Sequence, residues 1–221
     1  MAFIIDGTTG IATVDGSVSA PSQRGQDNNS GISYAADTIK FSTNGVERMA
    51  ITNTGVSGTG VGGKILQFKS TTKKDTASFS VASDTVYHYT DTSLRVTITP
   101  TSASNTLYIM GEVTLGRDLL NRVFVVLGKD GSTLATANGD AGGSRTSCAS
   151  VATNNDTNMP FSIPFHIEIP AENTSERYYN LGFHHGSSSS RTLYLNRSSG
   201  DADDYYQPRT ISTISVMELA A

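Results

Sequence analysis

The sequence predicts an all-β chain: an N-terminal β-hairpin and extended segment, joined by a Gly-rich linker to an antiparallel, jelly-roll-like β-sandwich. Three observations carry this. Short apolar runs alternate with polar residues along most of the chain, and no 3.6-residue period is visible. The 21 glycines and the abundance of Ser, Thr and Asn disfavour helix and favour strands joined by turns. Turn pairs such as Asn44-Gly45 and Asp130-Gly131 sit between the alternating runs, where both residues tolerate positive φ.

The elements follow in order. Residues 1–30 hold two short runs, "FIID" and "GIATVD", each closed by Asp-Gly, and then a polar, turn-rich stretch that reads as extended. Residues 31–53 centre on "DTIKFSTNGVERMAIT", a hairpin. With Thr43-Asn44-Gly45 as a three-residue loop, Phe41 faces Glu47 and Ile39 faces Met49. That register puts Ile39, Phe41, Met49 and Ile51 on one face. An isolated two-stranded hairpin is marginal in water, so this face needs a cover. Residues 54–63, with five glycines from Gly55 to Gly63, read as a flexible linker.

Residues 64–221 are the predicted sandwich. "KILQFK", "ASFSVA", "TVYHYT" and "LRVTITP" open it, the last alternating Leu94, Val96 and Ile98. "NTLYIMGEVTL" alternates Leu107, Ile109, Val113 and Leu115 against Tyr108, Glu112 and Thr114. "NRVFVVLGKDGSTLAT" reads as a hairpin, and residues 138–160 as a long polar loop. "SIPFHIEIP", "ERYYNLGFHH", "RTLYLNR" and "TISTISVMEL" complete the strands. About 155 residues suffice for such a domain to bury a core of its own.

Composition narrows the function. A net charge of −4 leaves no basic footprint for nucleic acid. The longest purely apolar run, Val123 to Leu127, is far short of a membrane span. The single cysteine, Cys148, cannot form an internal disulfide and fits folding in a reducing cytoplasm. "MAFIIDGTTG" lacks the basic start and apolar core of a secretory signal.

No set of reactive side chains reads as an enzyme, and no cofactor is expected. "GTGVGGK" (58–64) fits the first seven positions of a phosphate-binding loop, but Ile65 stands where a hydroxyl would bind magnesium and a strand follows instead of a helix. "GDAGGS" (139–144) resembles the active-site loop of chymotrypsin-like proteases with Ala141 in place of the nucleophile, which removes acyl-enzyme chemistry. His184 and His185 are adjacent on a predicted strand and point to opposite faces. Asp201, Asp203 and Asp204 offer oxygen ligands but lack the spacing of a calcium loop.

The hairpin segment "NNSGISYAADTIKFSTNGVERMAITNTGVSGTG" resembles a segment common in tail-fibre and related virion proteins of bacteriophages, notably marine ones. Gly31, Ile32, Asp37, Ile39, Phe41, Gly45, Glu47, Arg48, Met49 and Ile51 match its pattern. "GDAGGSR" and "NRSSGDADDYYQPRTISTISVMEL" are similar to C-terminal domains of such fibres. The resemblance implies a homotrimer in which three hairpins bury Ile39, Phe41, Met49 and Ile51 around a shared axis. It also implies a virion location, with residues 1–30 anchoring the trimer to other tail or capsid proteins.

The expected function is a non-enzymatic, tail-fibre-like appendage whose sandwich loops attach to a host-surface glycan or protein. The alternatives are a capsid decoration or cement protein and a glycan-cleaving tailspike, the last disfavoured because no shaft-like repeat is visible. The candidate receptor-binding residues are His184, Arg197, Asp203, Asp204, Tyr205 and Tyr206, at or near predicted strand ends. Aromatic faces stack on sugars or anchor protein contacts, and carboxylates and guanidinium groups give directional hydrogen bonds. Tyr205 or Tyr206 could instead close the sandwich end or pack between subunits.

Overall fold

The computed structural model describes residues 15–24, 26–53, 55–58, 65–118, 122–140, 142–153 and 156–221. Across these residues the chain is all-β with antiparallel pairing throughout, and it divides into two compact units, Met1–Lys64 and Ile65–Ala221. "FIID" and nearly all of "GIATVD" lie outside the described residues.

In the first unit, β1 (Gly16–Ser17) and β2 (Ala20–Pro21) pair with each other. β3 (Gln23–Arg24), β4 (Gly31–Ala35), β5 (Thr38–Thr43), β6 (Val46–Thr52) and β7 (Gly55–Ser57) form a five-stranded sheet in sequence order. Two expectations change here. The stretch before residue 31 is not simply extended, because β3 pairs with β4. The supposed linker begins as a strand, because β7 pairs with β6.

The register of the central hairpin is also corrected. Asn44 and Gly45 both take positive φ, 52° and 73°, the pattern of a two-residue hairpin turn whose twist matches that of the strands. Thr43 therefore pairs with Val46 and Ser42 with Glu47, and a bulge at Arg48 then sets Phe41 against Met49 and Ile39 against Ile51. The extra residue restores the parity that a two-residue turn alone would have lost. The turn is pinned from outside: Gly45 N–H donates to the Asn29 carbonyl at 2.8 Å and Asn44 N–H to Ser30 Oγ at 3.1 Å.

In the second unit the strands pair as a nest. They are β8 (Ile65–Lys73), β9 (Ala77–Val81), β10 (Tyr87–Tyr89), β11 (Arg95–Ile98), β12 (Thr106–Arg117), β13 (Arg122–Lys129), β14 (Ser132–Thr133), β15 (Ser150–Thr153), β16 (Phe161–Pro170), β17 (Arg177–His185), β18 (Arg191–Leu195) and β19 (Ser212–Leu219). β13 pairs with β15, β12 with β16, β11 with β17 and β8 with β19. Each pair encloses the one before it, so the domain is one long hairpin rolled into two sheets, the winding of a jelly roll. β15 corrects the expected loop at 138–160, four of whose residues, Ser150–Thr153, are strand.

The inner faces supply the core. Leu107, Ile109, Val113 and Leu115 of β12 and Ile163, Phe165, Ile167 and Ile169 of β16 are buried, as are Leu94, Val96 and Ile98. Phe79 stacks on Tyr87 at 4.7 Å and tilts against Phe183 at 5.2 Å, filling the space between the sheets with rings. Gly111 lies between β16 and β19, where an added Cβ would come within 2.0 Å of the Thr213 carbonyl oxygen.

One buried charge ties an end of the sandwich together. Glu218 is 0% exposed and accepts from Thr101 N–H at 2.7 Å, Thr101 Oγ1 at 2.9 Å, Asn105 Nδ2 at 2.6 Å and Gln67 Nε2. Burial pushes its carboxyl up, but these hydrogen bonds together outweigh it and hold the pKa below the ordinary value. A depressed folded pKa gives stability that is present above the unfolded value and lost as pH falls through the folded one. Glu218→Gln will melt lower than wild type at neutral pH, yet lose less on going from about pH 5 to about pH 3. Parallel melting curves for the two proteins would refute this role. The 65–221 fragment, made alone, will melt in one cooperative step, since its core is internal; an unfolded fragment would contradict the division.

Candidate functional site

Apolar side chains are exposed at several places among the described residues, Ile65, Phe68, Val151 and Ile211 included; two of these places hold residues singled out in the sequence, and the first is the N-terminal sheet. Its register aligns two rows across the strands. Ile32, Phe41 and Met49 form one, and Tyr34, Ile39, Ile51 and Val56 the other. Neither row carries a charged side chain. Successive residues of a strand point to opposite faces, so Ser33, Ser42 and Ala50 occupy the other side. Burial is inverted between the two. Ser33, Ser42 and Ala50 are 1%, 4% and 3% exposed, whereas Ile39, Ile51 and Val56 are 38%, 39% and 43% exposed.

The residues that carry the fibre resemblance have structural places in this sheet. Asp37 takes a φ of 52° in the β4–β5 turn, Gly45 completes the next turn, and Arg48 is the bulge. Arg48 Nε donates to Thr43 Oγ1 at 2.7 Å, and Glu47 pairs with Lys40 at 3.0 Å. The pattern therefore encodes turns, a bulge and an apolar face. The sequence reading found four members of that face and missed Ile32, Tyr34 and Val56, whose alternation is cut short by the turns around them.

The second place is the loop between β18 and β19. Asn196, fully buried and at φ 61°, anchors its base. Its Nδ2 donates to the carbonyls of Lys73 and Asp75 at 3.0 and 2.9 Å, and its Oδ1 accepts from Ser212 Oγ at 2.6 Å. Thr210 N–H closes the neck onto the Asn196 carbonyl at 2.9 Å. Above it, Gln207 Oε1 accepts from Ser198 Oγ at 2.7 Å and from Ala202 N–H at 3.1 Å. Arg209 grips Asp201 with Nε at 2.9 Å and Nη2 at 2.8 Å, which holds the Asp201 carboxyl below its ordinary pKa.

This bracing presents a tip. Asp204 Oδ1 accepts from Tyr206 N–H at 3.1 Å. The rings of Tyr205 and Tyr206 meet edge to face at 5.4 Å and are 92% and 70% exposed. Neither ring closes the end of its own sandwich. Beside them, Asp201, Ala202, Asp203, Asp204, Gln207 and Arg209 line a hollow of about 360 Å³.

The six candidate residues do not form one cluster. Asp203, Asp204, Tyr205 and Tyr206 share the tip. Arg197 braces the loop from within, stacked over Tyr194 at 4.4 Å and 3.9 Å from Asp201. His184 stands apart on β17, its ring against Phe124 at 5.6 Å and His185 at 6.0 Å. Burial, then the neighbouring His185, lowers its pKa. Sequence proximity to a strand end had grouped it wrongly with a loop on the other sheet. Arg209 and Gln207, which shape the hollow, were missed; the signal available was an arginine eight residues after Asp201 across a Gly- and Asp-rich loop.

Other reactive groups are committed elsewhere. His185 is buried, with Nε2 2.9 Å from the Val81 carbonyl and Nδ1 accepting from Ser187 N–H at 3.1 Å, which makes Nε2 the protonated nitrogen. His88 lies 3.0 Å from Thr133 Oγ1 and 3.4 Å from Asn180 Nδ2. Burial raises the Cys148 thiol pKa, away from the thiolate that reactivity requires. A second hollow, lined by Lys69, Thr71, Thr92 and Arg95 among others, has its guanidinium laid over Tyr178 at 4.3 Å. Among the described residues no group of three His, Cys, Asp or Glu is arranged to hold a metal ion. Ala141 and residues 59–64 of the loop-like "GTGVGGK" lie outside the described residues.

No protein-family model matches the chain, and no curated protein matches it. Among solved structures it is similar to the Eiger TNF of S. frugiperda at 13% identity, covering 71% of this chain and 94% of that one, with a TM-score of 0.37. It is also similar to infectious bursal disease virus Gx strain, at 14% identity over 69% of this chain and 41% of that chain, TM-score 0.34. T=1 particles derived from infectious bursal virus match at 14% identity over 94% and 54%, TM-score 0.36. The chain spans about half or less of the length of those two viral chains.

If Arg209 is what holds Asp201 ionised, Arg209→Ala will move the Asp201 carboxyl titration upward toward its ordinary value of 3.8, read by carbon NMR. The Tyr205 and Tyr206 backbone amides will sharpen or broaden with it as the loop loosens. An unmoved titration would remove the pair from the bracing.

Proposed function

We propose that this chain is a non-enzymatic structural protein of a bacteriophage virion: a homotrimeric, tail-fibre-like appendage that attaches to the host surface through loops of its sandwich. The observation that carries the reading is the inverted burial of the N-terminal sheet. Folding of one chain buries Ser33, Ser42 and Ala50 on one side, where Lys40 also lies, while on the other it leaves Ile39, Ile51 and Val56 exposed and Ile32, Phe41 and Met49 half-buried. At roughly 25 cal/mol per Å² of apolar area, covering that side would stabilise the unit. Two rows without charge select no oppositely charged partner. Copies of the same sheet offer the same uncharged apolar surface, and most soluble oligomers are closed symmetric assemblies of one chain.

The motif residues support the fibre assignment because each has a place in building that face. The non-enzymatic reading is supported by His185 and His88, which are hydrogen-bonded, and by the Cys148 thiol, whose pKa burial raises. The tyrosine tip supports attachment, since loops on a rigid β scaffold are where recognition usually sits. A capsid decoration protein would share the trimeric build and differ in its partner. Electron microscopy of particles labelled with an antibody to this chain separates them: label on the tail supports the fibre, and label over the head lattice replaces it.

The trimer has its own test. Light scattering of purified protein at micromolar concentration will give three times the chain mass, and Phe41→Asp with Met49→Asp will shift it to monomer, because unpaired carboxylates are costly to bury. A monomeric wild type would overturn the interchain core.

A further inference from the structure

Tyr205 and Tyr206 are the two most exposed large apolar side chains among the described residues, at 92% and 70%, and they stand on a loop with little freedom. Its base is locked by Asn196, its middle by Gln207 and its side by the Asp201–Arg209 pair. Rings held this rigidly lose little entropy when covered. Beside them the hollow is polar. Asp201 is neutralised by Arg209, while Asp203 and the Oδ2 of Asp204 remain to accept hydrogen bonds. An apolar protein anchor would leave those oxygens without partners, at the cost of burying them. A sugar does not, because its C–H face covers a ring while its hydroxyls satisfy carboxylate, amide and guanidinium groups.

We propose that the tip and hollow formed by Asp201, Asp203, Asp204, Tyr205, Tyr206 and Arg209 are a carbohydrate subsite that takes neutral or amine-bearing pyranoses in preference to anionic sugars. This deepens the attachment reading and rests on it. The selectivity follows from charge. Three carboxylates face one guanidinium in the hollow, so uronic and sialic acids meet like charge, and the ammonium of an amino sugar meets Asp203.

The test is an array of immobilised oligosaccharides carrying neutral hexoses, N-acetylhexosamines, free hexosamines, uronic acids and sialic acids, probed with the full chain. The wild type will be retained by neutral and free-amine sugars. Tyr205→Ala with Tyr206→Ala will weaken retention by about tenfold or more, the loss expected for removed ring contacts, with an unchanged melting temperature. Asp203→Asn, which keeps shape and removes charge, will cut the preference for free amine over N-acetyl by about threefold, as for an exposed ion pair. Preference for acidic sugars, or full binding by the double tyrosine variant, overturns the proposal.

Labelling of whole host cells by the same protein separates this failure from that of the attachment reading. Labelling that survives periodate oxidation of surface sugars overturns the carbohydrate class and leaves attachment standing. Labelling abolished by periodate supports the subsite even where the array lacks the right sugar. A protein that labels no cells overturns attachment, and this proposal with it.

Discussion

A β-sheet carries side chains on both faces, and whichever face holds the apolar ones has to be covered. The two units of this chain meet that constraint differently. In the second, nested pairing rolls one long hairpin so that the inner faces of two sheets cover each other, and Leu107, Ile109, Ile163, Phe165, Tyr179 and Phe183 vanish from solvent. In the first, the described residues leave part of the apolar rows exposed. The sheet spends its intrachain cover on Ser33, Ser42 and Ala50 and leaves Ile39 and Ile51 more than a third exposed.

The alternation that defines the sandwich was readable because each buried strand repeats it several times. Leu107, Ile109, Val113 and Leu115 keep the same parity along β12, with Gly111 standing in where Phe165 and the Thr213 carbonyl leave no room for a side chain. Short strands gave no such signal. Ser150–Thr153 offers only Val151 and Ala152, and its pairing with β13 is set by the walls of the sandwich, not by its own pattern. The hairpin at Asn44-Gly45 shows a subtler limit. Reading a three-residue loop placed the right four residues on one face through the wrong pairs. The turn takes two residues and the bulge at Arg48 adds one back, so parity was preserved while every partner shifted. Parity is legible from period alone; register also needs the turn geometry, which here depends on Asn29 and Ser30 reaching across to the loop.

The candidate site divides along the same line. Its exposed aromatic and acidic residues are contiguous, 203–206, and so could be picked out from the sequence. What makes them a site is not contiguous. Asn196 reaches back to Lys73 and Asp75, Ser198 and Ala202 reach forward to Gln207, and Arg209 closes on Asp201. His184 failed for the complementary reason: it lies near a strand end in sequence, but its strand belongs to the other sheet, and its ring is spent on Phe124 and His185.

The distribution of satisfied and unsatisfied surface then ties fold to function. Several buried polar groups of the sandwich are matched: Glu218 by four donors, Asn196 by three partners, His185 at both ring nitrogens, whereas Asp118 Oδ1, His184 Nδ1 and Thr210 Oγ1 are buried without a hydrogen-bond partner. Such networks cost stability when any member is missing, and when complete they hold loops in one conformation. Asn196, Gln207 and Arg209 brace the loop that carries the tip at 203–206. Among the apolar surfaces left exposed, which also include Ile65, Phe68, Val151 and Ile211, are the uncharged rows on the first unit and the two rings on the second. These call for different chemistry. Rows of aliphatic side chains across several strands are satisfied by a broad, flat, equally apolar face. Two edge-to-face rings beside free carboxylates are satisfied by something small, with both a C–H face and hydroxyls.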